Sequence, residues 1–138
     1  MGIDPYLIAP PLVLCVAYRL ARRIYPTSKH EIPIDDATKI MLDKQFEDLP
    51  LEYKEKLNIG ISMYEAVPSP ECPSGMRGRM AIFEMFKIDK EMQSIILKKP
   101  QEQEIYKLAR QRGMLSIRED AILKSLKGDI PFQEIYNF

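Results

Sequence analysis

Two arginines among glycines are the residues whose type and spacing are best suited to chemistry. Arg77 and Arg79 stand in the run GMRGR at 75–79, directly before a strand-like segment. The planar fork of N–H donors on a guanidinium group matches the oxygens of a phosphate or a carboxylate. The run therefore predicts a contact with a phosphate or with acidic residues of a partner. The alternative is an ordinary glycine turn with solvent-exposed arginines.

Familiar catalytic motifs are absent from the sequence. It contains no G-x-x-x-x-G-K-[ST] phosphate loop and no G-x-G-x-x-G run after a strand. His30 is the only histidine, which excludes a site with two histidines such as H-E-x-x-H. The many acidic residues are most simply solvated helix faces. We therefore predict no catalytic residue and no ATP hydrolysis by this chain alone.

Composition narrows the class of protein. Lys+Arg and Asp+Glu number 20 each, so the formal net charge is zero, whereas a dedicated nucleic-acid-binding protein is normally basic. A hydrophobic share of 46% supports a packed core, and 138 residues suit one domain or a piece of a larger one. Cys15 and Cys72 form no disulfide framework, which indicates a reducing, cytoplasmic setting.

An apolar segment at 6–18 needs a test as a membrane anchor. It is shorter than the ~18 to 20 apolar residues that a spanning helix needs, and it contains Pro10 and Pro11. Arginines follow it, as they would follow an anchor. We predict instead a buried core helix at 12–24. Because that helix would be apolar on nearly all sides, we expect the surface that covers it to lie outside this chain.

The middle of the chain predicts short elements. Asp36 can cap a helix at 37–46, and Pro50 can open another through about residue 57. Strand composition occurs at 60–67 and 79–88, with a loop rich in Pro, Gly and Ser between them. We predict that these two strands form an antiparallel pair.

Capping signals make the secondary structure of the last fifty residues the easiest to predict. Asp89 precedes one helix and Pro100 ends it, Gly113 suits a left-handed residue after the next, and Ser116 with Glu119 spells a capping box. The predicted helices are 89–99, 101–112 and 117–127, with a final turn from Pro131. The whole pattern predicts an α+β fold, mostly helical. It would have a buried N-terminal helix, a small peripheral lobe with a short antiparallel strand pair, and a C-terminal bundle of three to four short helices.

Five runs, in the same order along the chain, resemble signatures of type II secretion and type IV pilus assembly ATPases. The run at 1–9 is similar to M-G-(I/V)-x-P-(F/Y)-L-I-A, and 16–23 to (V/I)-A-Q-R-L-x-R. Residues 75–84 resemble G-Y-x-G-R-x-(A/G)-I-x-E, and 109–120 resemble A-x-x-x-G-M-x-(S/T)-L-x-E-D. The run at 128–136 resembles G-x-T-S-x-E-E-V, although its hydroxyl cap is replaced.

This resemblance implies a C-terminal portion of a hexameric cytoplasmic motor, downstream of the phosphate-binding loop. ATP and magnesium would belong to the parent, and this portion would hold no cofactor. The implied partners are the parent's own ATPase core, the neighbouring subunits of a homohexamer and an inner-membrane platform protein, with no nucleic acid. The implied location is cytoplasmic, peripheral to the inner membrane through those partners.

The resemblance also implies a division of the chain. Residues 1–24 would be a helix of the ATPase core, 25–77 a peripheral lobe, and 78–138 a strand plus a C-terminal helical subdomain. Four arginines become candidates for contact with nucleotide or with a neighbouring subunit: Arg19, Arg22, Arg77 and Arg79.

The family commonly carries a four-cysteine zinc module, and this sequence departs from it. The positions that align with the four thiolates hold Tyr25, Ser28, Ser69 and Cys72. Structural zinc takes about four Cys or His ligands. We therefore expect no metal site here.

Two other functions stay open at this point. One is a standalone interaction module without ATPase activity. The other is a small membrane-associated protein anchored by residues 6–18.

Overall fold

A computed structural model describes residues 4–98 and 101–138. The beginning of the 1–9 motif and Pro100, the predicted helix stop, lie outside those residues. The elements in chain order are α1 (Pro5–Ile8), β1 (Leu14–Ile24), β2 (Lys29–Pro33), α2 (Asp36–Gln45), α3 (Leu51–Lys54), β3 (Ser62–Ala66), β4 (Met76–Lys87), α4 (Lys90–Leu97), α5 (Glu102–Gln111) and α6 (Ile117–Leu126). Short 3₁₀ turns occur at Pro26–Ser28 and Phe132–Asn137.

The predicted buried helix at 12–24 is wrong, because this segment forms the strand β1. Its apolar residues are not arranged as a helical stripe. Leu14, Val16, Tyr18 and Leu20 alternate along one face of the strand, and the residues between them face the other way. A run that is apolar on both faces cannot be told from a buried helix by periodicity, and Val and Tyr favour the strand.

The predicted strand pairing is also wrong, although both strands exist. β3 pairs with β2, and β4 pairs with β1, each time antiparallel, so the described residues form two two-stranded sheets. In the larger sheet the register places Leu14 opposite Lys87 and Tyr18 opposite Phe83. The strand that the sequence treats as a helix is the missing partner, which explains the error.

A bulge interrupts the β1–β4 sheet near its end. Between Arg22 and Ile24 of β1 lies one residue, but between their partners Arg79 and Met76 lie two. Gly78 is one of those two and has φ +80°, the left-handed conformation that glycine adopts without steric cost. The extra residue reverses the alternation of side chains beyond this point.

The main core lies between the larger sheet, α2 and α6. Its buried members include Ala21 and Ile82 from the sheet, Phe46 from the end of α2, and Ala121 and Ile122 from α6. The 3₁₀ turn at Phe132–Asn137 closes the core with buried Phe132 and Ile135. These residues hold β1 and β4 in place by one face only.

The helices after β4 are confirmed, but the predicted C-terminal bundle is wrong. Asp89 Oδ1 accepts from Met92 N at 3.0 Å, and Ser116 and Glu119 form the capping box. However, α4 packs with α5 around a small cluster of its own, whereas α6 packs on the sheet and on the last 3₁₀ turn. The apolar face of α6 covers strands, so these helices share no common bundle core.

Within residues 4–98 and 101–138, we find no helix long and apolar enough to cross a membrane. Of the candidate anchor at 6–18, the first part contains the four-residue helix α1, and the last part belongs to β1.

Candidate functional site

One face of the β1–β4 sheet is an uncovered apolar surface. Its six large apolar side chains stand opposite or beside one another in the register. They are Leu14 (51% exposed), Val16 (44%), Tyr18 (65%), Leu20 (52%), Phe83 (37%) and Met85 (45%). We call these six residues the open face. The expectation that this segment lacks cover within the chain is confirmed, although the segment is a strand.

The outer edge of β1 is open along the same stretch. Arg22 N donates outward to Glu134 Oε2 at 3.3 Å, so by alternation the N–H groups of Leu20, Tyr18 and Val16 point to the same edge. Among the described residues, none pairs with these three N–H groups or with the carbonyls beside them. A row of unpaired backbone groups is a template for another strand.

The opposite edge of the sheet is closed by side chains of α6. Phe83 N donates to Asp120 Oδ2 at 2.7 Å, and Lys124 Nζ donates to Ala81 O at 2.9 Å. Lys124 and Asp120 also pair with each other. At this edge, unlike at the open edge of β1, side chains of the chain pair with two backbone groups of the strand.

Arg22 and Arg79 lie opposite each other where the open edge ends. The Arg22 guanidinium donates from Nε to Glu134 Oε1 at 3.1 Å, and its Nη2 lies 3.0 Å from the same oxygen in an ion pair, while the Arg22 side chain is 63% exposed. Arg79 is exposed and makes no hydrogen bond or ion pair within the described part of the chain. Two like charges stand opposite each other here, and one of them is paired with the carboxylate of Glu134.

Arg77 and Arg19 do not join this pair. The bulge at Gly78 turns Arg77 away, and its guanidinium carbon lies 5.9 Å from the centre of the Tyr25 ring. Arg19 stands opposite Ile82 in the register, on the face away from the open face. The contacts that the sequence predicts for these four arginines stay predictions.

The four positions that align with zinc thiolates do come together. Ser28 Oγ donates to Ser69 Oγ at 2.8 Å, and Ser69 forms a backbone bridge with Cys72. Tyr25 N donates to Gly75 O at 3.0 Å, which brings the first turn against the second. Among the described residues, no three or more His, Cys, Asp or Glu side chains are grouped as a metal site.

Sequence reasoning missed a buried ionic network around Arg110. Its guanidinium contacts Glu119 through two hydrogen bonds of 2.7 and 2.6 Å and Asp48 through bonds of 2.9 and 2.6 Å. Burial acts to lower the pKa of Arg110, but its hydrogen bonds to Glu119 and Asp48 outweigh burial and raise that pKa. The sequence indicates one member of this network, because Glu119 is the acidic residue of the predicted capping box.

Comparison with known sequences shows to which family the chain belongs. The family described as "Type II/IV secretion system protein" matches residues 1–137. The chain belongs to that family. It is 29% identical over 136 residues to the type IV pilus assembly ATPase PilB of Thermus thermophilus. In Pseudomonas aeruginosa it is 31% identical over 136 residues to type II secretion system protein E and 28% identical over 137 residues to the pilus assembly ATPase PilB.

This family member spans only a small part of those relatives. Each match covers 98% of the chain, but 14% of the Thermus protein, 22% of the Pseudomonas pilus protein and 25% of its secretion protein. Nothing in the present sequence resembles a phosphate-binding loop.

Proposed function

We propose that the chain is a segment of a hexameric motor ATPase that powers type II secretion or type IV pilus assembly. Family membership supports this, as do relatives whose names state both roles at 31% and 28% identity in one organism. The order of the sequence motifs supports a position after the phosphate-binding loop, toward the C-terminus of the parent. ATP and magnesium would bind to the parent's catalytic part.

The open face is the observation that carries this proposal. Burying a large apolar side chain fully stabilises by roughly 1.5 to 3 kcal/mol, so covering six half-exposed ones would contribute roughly 4 to 9 kcal/mol as an upper estimate. An uncovered apolar sheet face beside an open strand edge fits the interior of a larger sheet. The catalytic part of the same subunit is the occupant that we propose.

Its mechanical role follows from this attachment. If β1 continues a sheet of the catalytic part, displacement of that sheet moves the core, because Ala21 and Ile82 are fully buried against α6. Motion driven by hydrolysis would then pass through this segment to neighbouring subunits and to an inner-membrane platform protein. Arg19 lies within the open edge of β1, and Arg22 and Arg79 lie where that edge ends. We propose a cytoplasmic location, peripheral to the inner membrane through these partners.

The test is a chimera of Pseudomonas aeruginosa type II secretion system protein E. The segment matched by this chain is replaced with this chain, and ATP hydrolysis is measured with magnesium. We expect the chimera to hydrolyse ATP and the isolated chain to show none, since phosphoryl transfer needs the missing positioning groups. Hydrolysis by the purified isolated chain, absent from a matched blank, would contradict the proposal.

A pair of matched variants tests the open face. In the chimera, Tyr18→Glu places a charge on the open face, and we expect a loss of hydrolysis of at least tenfold. Ile61→Glu is the control, because Ile61 is 88% exposed and lies outside the larger sheet. Equal activity of the two variants would show that the open face does not contact the catalytic part.

A standalone interaction module is the second candidate, because the same open face could bind a different protein. The two functions differ in one result. A module that never joins an ATPase gives an inactive chimera, while its open face still binds the other protein and Tyr18→Glu weakens that binding.

A further inference from the structure

Two short turns face each other around the positions that align with zinc thiolates. Ser28 N donates to Tyr25 O at 2.8 Å, and Cys72 N donates to Ser69 O at 3.1 Å. Each turn thus closes on itself with a bond from its fourth residue to its first. We call residues 25–28 and 69–72 the paired turns.

Backbone hydrogen bonds join the first of the paired turns to residues that flank the second. Tyr25 N donates to Gly75 O at 3.0 Å, and Val67 N donates to Ser28 O at 2.9 Å. Gly75 has φ +69°, and a Cβ there would lie 2.8 Å from Val67 O. Glycine and main-chain hydrogen bonds therefore contribute to the backbone geometry of the turns.

Hydroxyl groups join the turns where a metal would join thiolates. Ser28 is fully buried, and its Oγ donates to Ser69 Oγ at 2.8 Å. Ser69 Oγ also accepts from Cys72 N at 3.2 Å. At the rim, Thr27 Oγ1 donates to Glu71 Oε2 at 2.9 Å. The turns are thus closed by a small set of neutral and charge-assisted hydrogen bonds.

Zinc does not fit the donor atoms that are present. A structural site needs about four thiolate or imidazole ligands, and only Cys72 among the four aligned residues carries sulfur. The buried Cys72 thiol donates to Met76 O at 3.5 Å. The Tyr25 ring makes a cation–π contact with the Arg77 guanidinium.

We propose that the paired turns are a metal-free counterpart of a four-thiolate zinc site, in which the Ser28–Ser69 hydrogen bond replaces the metal. The backbone remains competent to hold zinc, so three substitutions that restore thiols beside Cys72 recreate the site. This proposal concerns the fold of the chain and does not depend on the motor function.

The test compares the full chain with its Tyr25→Cys/Ser28→Cys/Ser69→Cys variant under reducing conditions. Cobalt(II) is titrated first, because thiolate coordination gives an intense ligand-to-metal absorption, and zinc is then used to displace it. We expect one metal per variant chain and none per unsubstituted chain. We also expect a chelator to lower the melting temperature of the variant only.

We call the variant with these three substitutions the three-cysteine variant. As the matched control, a fourth substitution, Cys72→Ser, is added to it. It leaves three thiols in the paired turns, and we expect its zinc affinity to fall at least tenfold. If the three-cysteine variant is unfolded without metal, recovery of its circular dichroism on adding zinc gives the same answer. Zinc bound tightly by the unsubstituted chain overturns the proposal, and so does a three-cysteine variant that neither binds metal nor folds with it.

A separate measurement tests the hydrogen bond itself. Ser28→Ala removes the buried donor, and we expect the melting temperature to fall by roughly 3 to 8 °C. Ser74→Ala is the control, since its hydroxyl is exposed and bonds locally, to the N and O of Met76 and to the Cys72 sulfur. A Ser28→Ala chain as stable as the unsubstituted one would show that this bond does not hold the turns.

Discussion

The buried pair of Arg110 and Glu119 offers the sharpest test of what stabilises this fold. Their side chains are 4% and 2% exposed, and two parallel N–H···O bonds join them. Glu119 Oε2 also accepts from Ser116 N at 2.9 Å, so the same carboxylate starts α6. Asp48 contacts the other side of the guanidinium, but its side chain is 57% exposed.

Burial decides the size of each effect. Arg110→Met leaves the Glu119 carboxylate buried without its cation, and breaking such a pair costs about 3 to 5 kcal/mol of unfolding free energy. Asp48→Asn removes a largely solvated charge, so we expect a loss of at most about 1 kcal/mol. The double variant Arg110→Met/Glu119→Gln removes both buried charges. We expect it to lose less than the sum of the two single variants, because no isolated charge remains.

The assay is urea unfolding followed by circular dichroism at neutral pH, with all four variants and the unsubstituted chain. The double-mutant cycle gives the coupling free energy between Arg110 and Glu119, which we expect to exceed about 1.5 kcal/mol. Strict additivity of the two substitutions would refute the reasoning. A loss on Asp48→Asn equal to that on Arg110→Met would also refute it, since exposure would then have no bearing on the cost.

Three further predictions concern local structure and pH. Gly78→Ala should cost about 1 to 2 kcal/mol from its positive φ alone, because a Cβ there meets nothing within 4 Å. Gly75→Ala should cost more, since its Cβ also meets backbone; equal losses in urea unfolding would contradict this. Ser116→Ala should cost about 0.5 to 2 kcal/mol by losing the cap to Glu119 N, whereas Ser94→Ala within α4 should change stability by less than about 0.5 kcal/mol. Partial burial acts to raise the pKa of Asp48, but the hydrogen bond and charge of Arg110 outweigh it and lower that pKa. The ionised Asp48 therefore stabilises the folded chain at pH values above its unfolded pKa, and this stabilisation is lost as the pH falls below about 4. A pH titration of the melting temperature of Asp48→Asn, which should lack this part of the acid sensitivity, checks that sign.

Local signals explain what the sequence predicts correctly. The helix starts at Asp89 and Ser116 depend on side chains that reach backbone N–H groups three residues away, and both bonds are present. Gly113 and Gly128 have φ +82° and +74°, as expected for residues that follow helices. Such features need no knowledge of distant residues, so a single sequence reveals them.

Distant partners explain what the sequence does not predict. β1 and β4 are separated by the whole of α2, α3 and the smaller sheet, and nothing within 12–24 identifies β4 as its partner. The contact between Arg110 and Asp48 likewise joins residues 62 positions apart. The sequence indicates the paired turns only because their four positions align with a known ligand spacing. The hydrogen bond from Ser28 to Ser69 is visible only in the folded chain.

The sequence correctly predicts that residues 12–24 lack cover, although it predicts a helix where the structure has the strand β1. Periodicity identifies the covered side of an element only when its other side faces water. Between residues 12 and 24, apolar residues occupy successive positions until the arginines begin, so either conformation leaves apolar atoms on two sides. The chain buries Ala21 of β1 against Ala121 and Ile122 of α6 and leaves Leu14, Val16 and Tyr18 exposed on the other side. The pattern of the residues therefore reports how many sides are to be covered, and the folded chain reports which side still lacks its cover.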